Sequence, residues 1–327
     1  MQQAGIKSLR VLCTGGSGFI GVHLCHSLIE QGFSLINFDK NQPKNDEHLC
    51  FWHNGDILDA GSTTRIFSEF QPTHVIHLAA RTVLEGKSLD DFRDNTDGTA
   101  NVLAAIKSCN SVSKVIITST QHVFKPGPNL PKSDDDFDPY GLYGESKVIT
   151  EKLTRAAALN ACWTIIRPTN IWGPWHPQYP RGLWNLMRKG FYFHPKHDPV
   201  VRSYGYVKNV VWQIERIFQA PADSVNQRMY YVGEKPINQS DWVRAFSIAI
   251  SGKPAYLLPK NIIYVLALIG DVAAMFGIKF PMYSDRYRNL TTTNPVPMEP
   301  IFDQFGSPPY SMEEGIRETV EWYRSQI

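Results

Sequence analysis

Tyr143 and Lys147 stand four positions apart in the run Tyr143-Gly144-Glu145-Ser146-Lys147. In a helix, that spacing puts a phenol and an ammonium on one face. A phenol with an ordinary pKa near ~10 is a poor base at neutral pH, and lowering it by about three units requires roughly 4 kcal/mol of preference for the phenolate. A neighbouring lysine supplies part of that. Alone, the pattern is common and usually describes a surface tyrosine beside a solvated lysine. Here the hydroxyl cluster Thr118-Ser119-Thr120 closes an apolar run upstream of it, and a glycine-rich segment stands about 130 residues before it.

That segment, Thr14-Gly15-Gly16-Ser17-Gly18-Phe19-Ile20-Gly21, follows the apolar run Leu9 to Cys13 and precedes Ile20, Leu24 and Leu28 at helical spacing. Glycines let the backbone turn tightly and approach a pyrophosphate, and the helix start offers unpaired N–H groups with partial positive charge. Placed between strand and helix, the pattern reads as a dinucleotide cradle. Asp39 ends the next apolar run, 24 residues beyond Gly15. A carboxylate there accepts bonds from ribose hydroxyls and repels a 2′-phosphate, which favours NAD over NADP. The adjacent Lys40 is the one feature that would suit the phosphate. Asp56, in Gly55-Asp56-Ile57, suits either a helix cap or an adenine contact. A bound nicotinamide ring, being positive, would help Lys147 hold the Tyr143 phenol acidic.

The elements that must position these groups alternate. Leu9 to Cys13, Ser34 to Phe38, His74 to Leu78, Lys114 to Ser119 and Trp163 to Arg167 read as buried strands separated by helical patterns, the rhythm of a doubly wound parallel α/β sheet. Gly32 closes the first helix. From Pro168 onward Pro and Gly become dense, which predicts a dinucleotide domain over 1–174, with 203–220 packing back onto it, and a smaller mixed α/β substrate domain over 175–327. Ser311 and Glu314 predict a capping box opening the last helix. Ile262 to Gly277 is apolar but interrupted by Asp271, and reads as a buried or amphipathic helix, with membrane-surface contact as the alternative.

Composition excludes other classes. With 33 basic against 31 acidic residues in 327, no long Lys/Arg block and a net charge of +2, no nucleic acid is expected as partner, and anion recognition must be local. No run of about 18 uncharged apolar residues occurs, so no integral membrane segment is expected. The five cysteines (13, 25, 50, 109 and 162) form no C-x-x-C pair and read as reduced, buried thiols in a cytoplasmic protein; no metal is implied.

Taken together, the glycine segment, Asp39, Asp56, His74 to Ala80, Asn95, Thr120, Tyr143 with Lys147, and Arg167-Pro168-Thr169-Asn170-Ile171-Trp172-Gly173-Pro174 resemble the extended short-chain dehydrogenases/reductases of the NAD-dependent sugar epimerase/dehydratase family, in particular its UDP-glucose 4-epimerase-like members. The resemblance implies a Rossmann domain holding NAD through Gly15, Gly18, Phe19, Ile20, Gly21 and Asp39, then Asp56, Ile57, Leu78, Ala79 and Ala80, then Asn95, Thr118, Tyr143, Lys147 and Pro168. It implies Tyr143 as acid/base, Thr120 orienting the substrate hydroxyl, and Lys147 on the nicotinamide ribose. Gln121, His122, Asn170 and Arg202 would meet a nucleotide-diphosphate sugar, Asn170 and Arg202 at its phosphates. The helices around Asn95 to Lys107 and Tyr143 to Leu159 would pair into a four-helix bundle in a homodimer.

Departures from the family pattern narrow the chemistry. Gln121 and His122 occupy the place where dehydratases carry acids, which disfavours 4,6-dehydration. His122 suits either proton transfer or a plain hydrogen bond. Lys208 and Asn209 resemble hydroxysteroid-dehydrogenase-like members, whereas Arg188, Lys189, His194, Lys196, His197 and Arg202 form a basic segment that suits a nucleotide diphosphate or is simply solvated. Trp172, Trp175 and His176 suit a pocket wall or packing. The first expectation is therefore an epimerase inverting C4 through a transient ketone. The second is a reductase or dehydrogenase of a keto-sugar or hydroxysteroid-like alcohol; a non-catalytic NAD sensor is the remaining alternative.

Overall fold

The computed structural model describes residues 9–196, 199–278 and 280–327. At its centre is a parallel seven-stranded sheet made of β1 (Arg10–Thr14), β2 (Ser34–Asp39), β3 (Trp52–Asn54), β4 (His74–His77), β5 (Lys114–Thr118), β6 (Cys162–Pro168) and β11 (Arg228–Val232), in the order β11-β6-β5-β4-β1-β2-β3. Five strands coincide with the apolar runs of the sequence. β3 and β11 were not legible there: β3 has three residues and two of them are exposed, and β11 joins the edge only after a long excursion.

Register explains why the strands are apolar on both sides. Leu12 lies opposite Ile36 and Val75. Alternate side chains point to opposite faces, so Val11, Cys13, Ile76 and Ile116 enter one core and Leu12, Val75, Val115 and Ile117 the other. Helix α1 (Phe19–Glu30) covers the first face through Leu24 and Leu28; α2 (Ala60–Phe70) and α3 (Asp97–Ser108) cover the second through Ile66, Phe67, Val102 and Ile106. Gly32 has φ +77°, the left-handed turn that ends α1. Helix α4 (Gly141–Ala156) packs beside α3.

After β7 (Asn170–Trp172) come α5 (Leu183–Arg188), β8 (Phe193–Lys196), β9 (Val201–Arg202) and β10 (Tyr204–Tyr206). Helix α6 (Val207–Gln219) then returns to the first face of the sheet through Val210, Ile214 and Ile217. Two more returns lie inside the stretch assigned from sequence to substrate binding: β11 itself, and α11 (Glu299–Phe305), whose Ile301 joins the same core. The remaining helices are α7 (Ala222–Val225), α8 (Gln239–Ser251), α9 (Lys260–Met275), α10 (Ser284–Thr291) and α12 (Met312–Ser325), with short strands β12 (Ile237–Asn238) and β13 (Tyr256–Pro259). An aromatic cluster of Trp172, Trp184, Tyr204, Tyr206, Trp242 and Phe246 forms a third core, away from the two faces of the sheet.

The Ser311–Glu314 capping box is formed at the start of α12. Two expectations need correction. Cys50 is exposed, unlike the other four thiols. Helix α9, read as buried or amphipathic, buries only Ile263, Ala267 and Gly270 and turns the rest of its apolar surface outward. Among the described residues no helix is long and apolar enough to cross a membrane.

Candidate active site

A cleft of about 930 Å³ runs across the carboxyl ends of β1, β2, β4, β5 and β6 and on to α8 and α10. Its sheet half lies where strand order reverses, between β1 and β4, the position at which doubly wound folds bind dinucleotides. Gly15 has φ +76°, and a Cβ there would lie 2.4 Å from the Ala79 backbone nitrogen; one on Gly21 would lie 2.4 Å from the Gly15 carbonyl oxygen. Gly18 caps α1 without any side-chain bond to the first-turn N–H groups, so these donors stay open beside the cleft.

Asp39 accepts hydrogen bonds from Ser17 N (3.1 Å) and Asn41 N (2.8 Å), which aim its carboxylate at the cradle. Burial pushes its pKa up, against the pull of these two bonds. Lys40 is held by Asp94 (3.0 Å) and Asp56 (3.6 Å), so the cation that would favour a 2′-phosphate is already engaged. Asp56 accepts from Leu58 N, whereas the cap of α2 is Asp59, whose side chain accepts from Ser62 N. Phe19, Ile20, Ile57, Leu78, Ala79, Ala80, Thr118 and Pro168 complete the lining. These residues fit NAD: a cradle that a Cβ would fill, open helix donors and a ribose-facing carboxylate. Asn95 does not reach the cleft lining. Fully buried, it bonds Arg81 N and O and the Ser146 hydroxyl, tying the loop after β4 to α4.

Tyr143, Lys147 and Thr120 meet on the cleft wall. Gly144 permits it, because a Cβ there would stand 2.3 Å from the His122 carbonyl oxygen, and α4 could not otherwise settle against the turn that carries Thr120. The Tyr143 side chain is 8% exposed, and burial pushes its pKa up to about 12, partly offset by a hydrogen bond with Thr120. Burial likewise pulls Lys147 down to about 8, with Glu151 opposing. The phenol is thus protonated at neutral pH in the free cleft.

Glu151 is one further turn along the same helix face. It is fully buried, accepting from Ser119 Oγ (2.6 Å) and from Arg167 Nε (2.8 Å) and Nη2 (2.9 Å). Arg167 also donates to Tyr231 OH and the Asp134 carbonyl. This network fastens α4 to β5, β6 and β11, and so fixes where Tyr143 and Lys147 stand.

The outer half of the cleft holds His122, Asn170 and Arg202. Burial, with Arg202 adding to it, pulls His122 down to about 4, so its imidazole is neutral; its Nδ1 has no partner among the described residues. Gln121 is buried outside the lining, with both amide atoms unpartnered. Asn170 donates to the Ser203 carbonyl (3.1 Å), and the buried Arg202 leaves its Nε unpartnered. Among the described residues of the basic segment predicted around it, only Arg202 reaches the cleft; His194 is buried against Tyr192 and Ser240, and His197 lies outside the described residues. Trp172 is core packing, whereas Trp175, at φ +67°, and His176 do line the cleft. Sequence reasoning missed Gln239, Trp242, Tyr283 and Arg286, which close the far wall from α8 and the start of α10. No local motif marks them; the fold alone brings them in.

A dinucleotide cradle, a ribose carboxylate and a buried Thr-Tyr-Lys set on one Rossmann sheet define an NAD-dependent enzyme of the extended short-chain dehydrogenase/reductase type. The sequence profile of the NAD dependent epimerase/dehydratase family matches residues 11–233, and the chain belongs to that family. It is 28% identical to a UDP-glucose 4-epimerase of Vibrio cholerae over 95% of this chain and 94% of the other. It is 26% identical to the sterol-4-alpha-carboxylate 3-dehydrogenase erg26, decarboxylating, of Schizosaccharomyces pombe, over 94% and 95%. Among solved structures, the Thermus thermophilus UDP-glucose 4-epimerase complex with NAD superposes with a TM-score of 0.74 at 22% identity, covering 98% of this chain and 100% of that one.

Proposed function

We propose that the protein is an NAD-dependent epimerase of a nucleotide-diphosphate sugar, inverting C4 through a transient ketone with no net consumption of cofactor. The observation that carries this reading is a pair of guanidinium groups, Arg202 and Arg286, in the same cleft as Tyr143 and Thr120. A guanidinium fork matches phosphate oxygens and donates two bonds at once. Asn170 and Gln239 line the same cleft, and their amide oxygens are acceptors that suit sugar hydroxyls, leaving the phosphate oxygens to the two arginines.

Bound NAD would supply a hydride acceptor and a positive ring. Gly15, Gly18 and Gly21 would hold its pyrophosphate, Asp39 its adenosine ribose and Lys147 its nicotinamide ribose. Thr120 then orients the sugar hydroxyl, and Tyr143, ionised by the charge around it, takes the hydroxyl proton on oxidation and returns it on reduction. Inversion requires the ketone to turn while its diphosphate stays anchored, a task suited to arginines remote from the phenol. A homodimer through α3 and α4, in the cytoplasm, belongs to the same reading.

A second reading is net oxidation or reduction of a less polar alcohol. Tyr179, Tyr192, Leu183, Trp242 and Leu290 also line the outer cleft, which suits an apolar ring system. UDP-, GDP-, CDP- and dTDP-sugars incubated in heavy water, with and without NADH, separate these outcomes. Inversion without deuterium uptake, and without added cofactor, is expected. Deuterium beside the carbonyl would instead give His122 the proton-transfer role, and product formed only in proportion to added NADH would establish net redox chemistry.

A further inference from the structure

Helix α9 has a surface that the rest of the fold does not account for. Three of its 16 residues are buried, and beyond Lys260 and Asn261 at its start the exposed positions are almost all apolar. Val265, Leu268, Ile269, Val272, Met275 and the following Phe276 are between 43% and 84% exposed. A helix on the surface of a globular protein ordinarily turns charged residues to water there. The apolar area continues into Ile278 and Tyr283, and into Tyr256 and Leu257 of β13, which pairs with β8. Contiguous patches of this kind mark interaction surfaces.

The face is held outward. A Cβ at Gly270 would lie 1.7 Å from the Met282 carbonyl oxygen, so the return toward α10 is pressed directly against α9. Asp271 accepts from Ser284 N (3.0 Å) and from its hydroxyl, clamping the start of α10 to the helix. Sixteen residues at about 1.5 Å each make a helix of roughly 24 Å, shorter than the ~30 Å hydrocarbon layer of a bilayer. It is built to lie along an interface and not to cross one.

Charge identifies the occupant. Residues 252–298 contain Lys253, Lys260, Lys279, Arg286 and Arg288 against Asp271 and Asp285. Asp271 is held by Ser284 and Asp285 is paired with Arg288, while Arg286 faces the substrate cleft, which leaves Lys253 and Lys260 without an acidic partner among the described residues. Lys260 shares one depression with Tyr264 and Tyr287 and the next with Lys196. A second copy meeting this face about a two-fold axis would bring lysines toward lysines without acids to receive them. Anionic headgroups above an apolar layer complement a cationic, tyrosine-bearing rim around an apolar centre.

We propose that α9 and the return that follows it dock the protein on the surface of an anionic bilayer, the helix lying in the interfacial plane. Tyr283 and Arg286 also line the substrate cleft, so its far wall would stand beside the lipid. The proposal holds whether the substrate is a sugar or a sterol-like alcohol.

The test is co-sedimentation of the full chain with vesicles of phosphatidylcholine alone and of phosphatidylcholine with phosphatidylglycerol. Binding to the anionic vesicles is expected. The exposed double variant Val265→Glu/Val272→Glu should lower partitioning by about tenfold or more, and Lys260→Glu should reduce the anionic preference. Unchanged NAD binding and thermal midpoint verify that both variants are folded. Wild-type protein left in the supernatant with both vesicles overturns the proposal. So does a double variant that only converts a dimer to a monomer in sedimentation velocity, which would assign the face to a second copy.

Discussion

Replacing Lys147 by Met tests the proposal that the buried phenol of Tyr143 works as a base and that Lys147 helps to ionise it. In the free enzyme Tyr143 is pushed up to about 12, so ionising it at pH 7 costs about five pH units, or ~7 kcal/mol. Lys147, pulled down to about 8, is still about nine-tenths charged at that pH. The Cβ atoms of residues four apart on a helix stand about 5–6 Å from each other, and a unit charge placed at a comparable range from the phenolate, with an effective dielectric near ~20, is worth about 3 kcal/mol to it. Lys147 therefore supplies somewhat less than half of the requirement, or about two pKa units, and the cofactor ring and Thr120 must provide the rest. Lys147→Met should lower turnover by about 100-fold at pH 7, measured at saturating NAD so that weaker cofactor binding does not enter. The acid limb of the pH–rate profile should move up by about two units, and ultraviolet difference titration of the NAD-bound variant should show the same displacement of the tyrosine. Lys147→Arg, which keeps the charge, should recover much of the rate. An acid limb that stays in place in Lys147→Met would refute the electrostatic account and leave the lysine a ribose ligand only.

Three other outcomes follow from the same geometry. Glu151→Gln strands the Arg167 guanidinium in the interior and should cost about 3–5 kcal/mol of stability in urea unfolding; a loss under 1 kcal/mol would mean that the network is not holding α4. His77, bonded to Thr14 (2.7 Å) and Thr99 (3.1 Å), is held at about 3 by burial and the Lys147 charge. Its value in the unfolded chain is about 6.5, so the unfolded state takes up the extra proton. Stability should be full above that pH and fall as pH drops toward 3, by up to about 1.4 kcal/mol per unit, and His77→Asn should flatten the dependence of the urea midpoint on pH. Arg286→Ala should raise KM for a nucleotide sugar by about 10- to 100-fold with kcat little changed, since a charge-assisted contact remote from the phenol is worth about 1.5–3 kcal/mol in ground and transition states alike. An unaltered KM would remove the diphosphate from the reading.

What the sequence showed of this site was what chemistry forces into local patterns. The cradle is legible because close backbone approach requires glycine at Gly15 and Gly21, and the Tyr143–Lys147 pair because a helix turn fixes its spacing. Asp56 and Asp59 both have the composition of a cap, and only the observed backbone shows that Asp59 fills that role. Asn95, expected at the cofactor, joins the loop after β4 to α4 through its amide, a role that no spacing reveals. β11 escaped because its partner β6 lies far back in the chain, and Arg286 because nothing near it in sequence resembles a phosphate site. The exposure of α9 was hidden for the opposite reason: an apolar run looks the same whether protein or something else covers it.

The family profile ends at residue 233, and that boundary separates two kinds of information. Within it lie the cradle, Thr120, Tyr143, Lys147 and the Glu151–Arg167 anchor, the groups that the proposed reading assigns to the dinucleotide and the carbinol proton, together with Arg202. Beyond it lie Gln239, Trp242, Tyr283, Arg286 and Leu290, which shape the outer cleft. Proton handling at a secondary alcohol requires the same few groups whatever ring carries the hydroxyl, and a buried helix anchored through Glu151 can hold them without reference to the substrate. Relatives named for a UDP-sugar and for a sterol carboxylate can therefore match this chain almost equally well along its length. Under the proposed reading, discrimination between those substrates falls to the wall of the outer cleft, where Arg202 and Arg286 favour a phosphate and Trp242 and Leu290 favour an apolar ring. Substitutions on that wall, and not at Tyr143, are the ones that will sort the substrates.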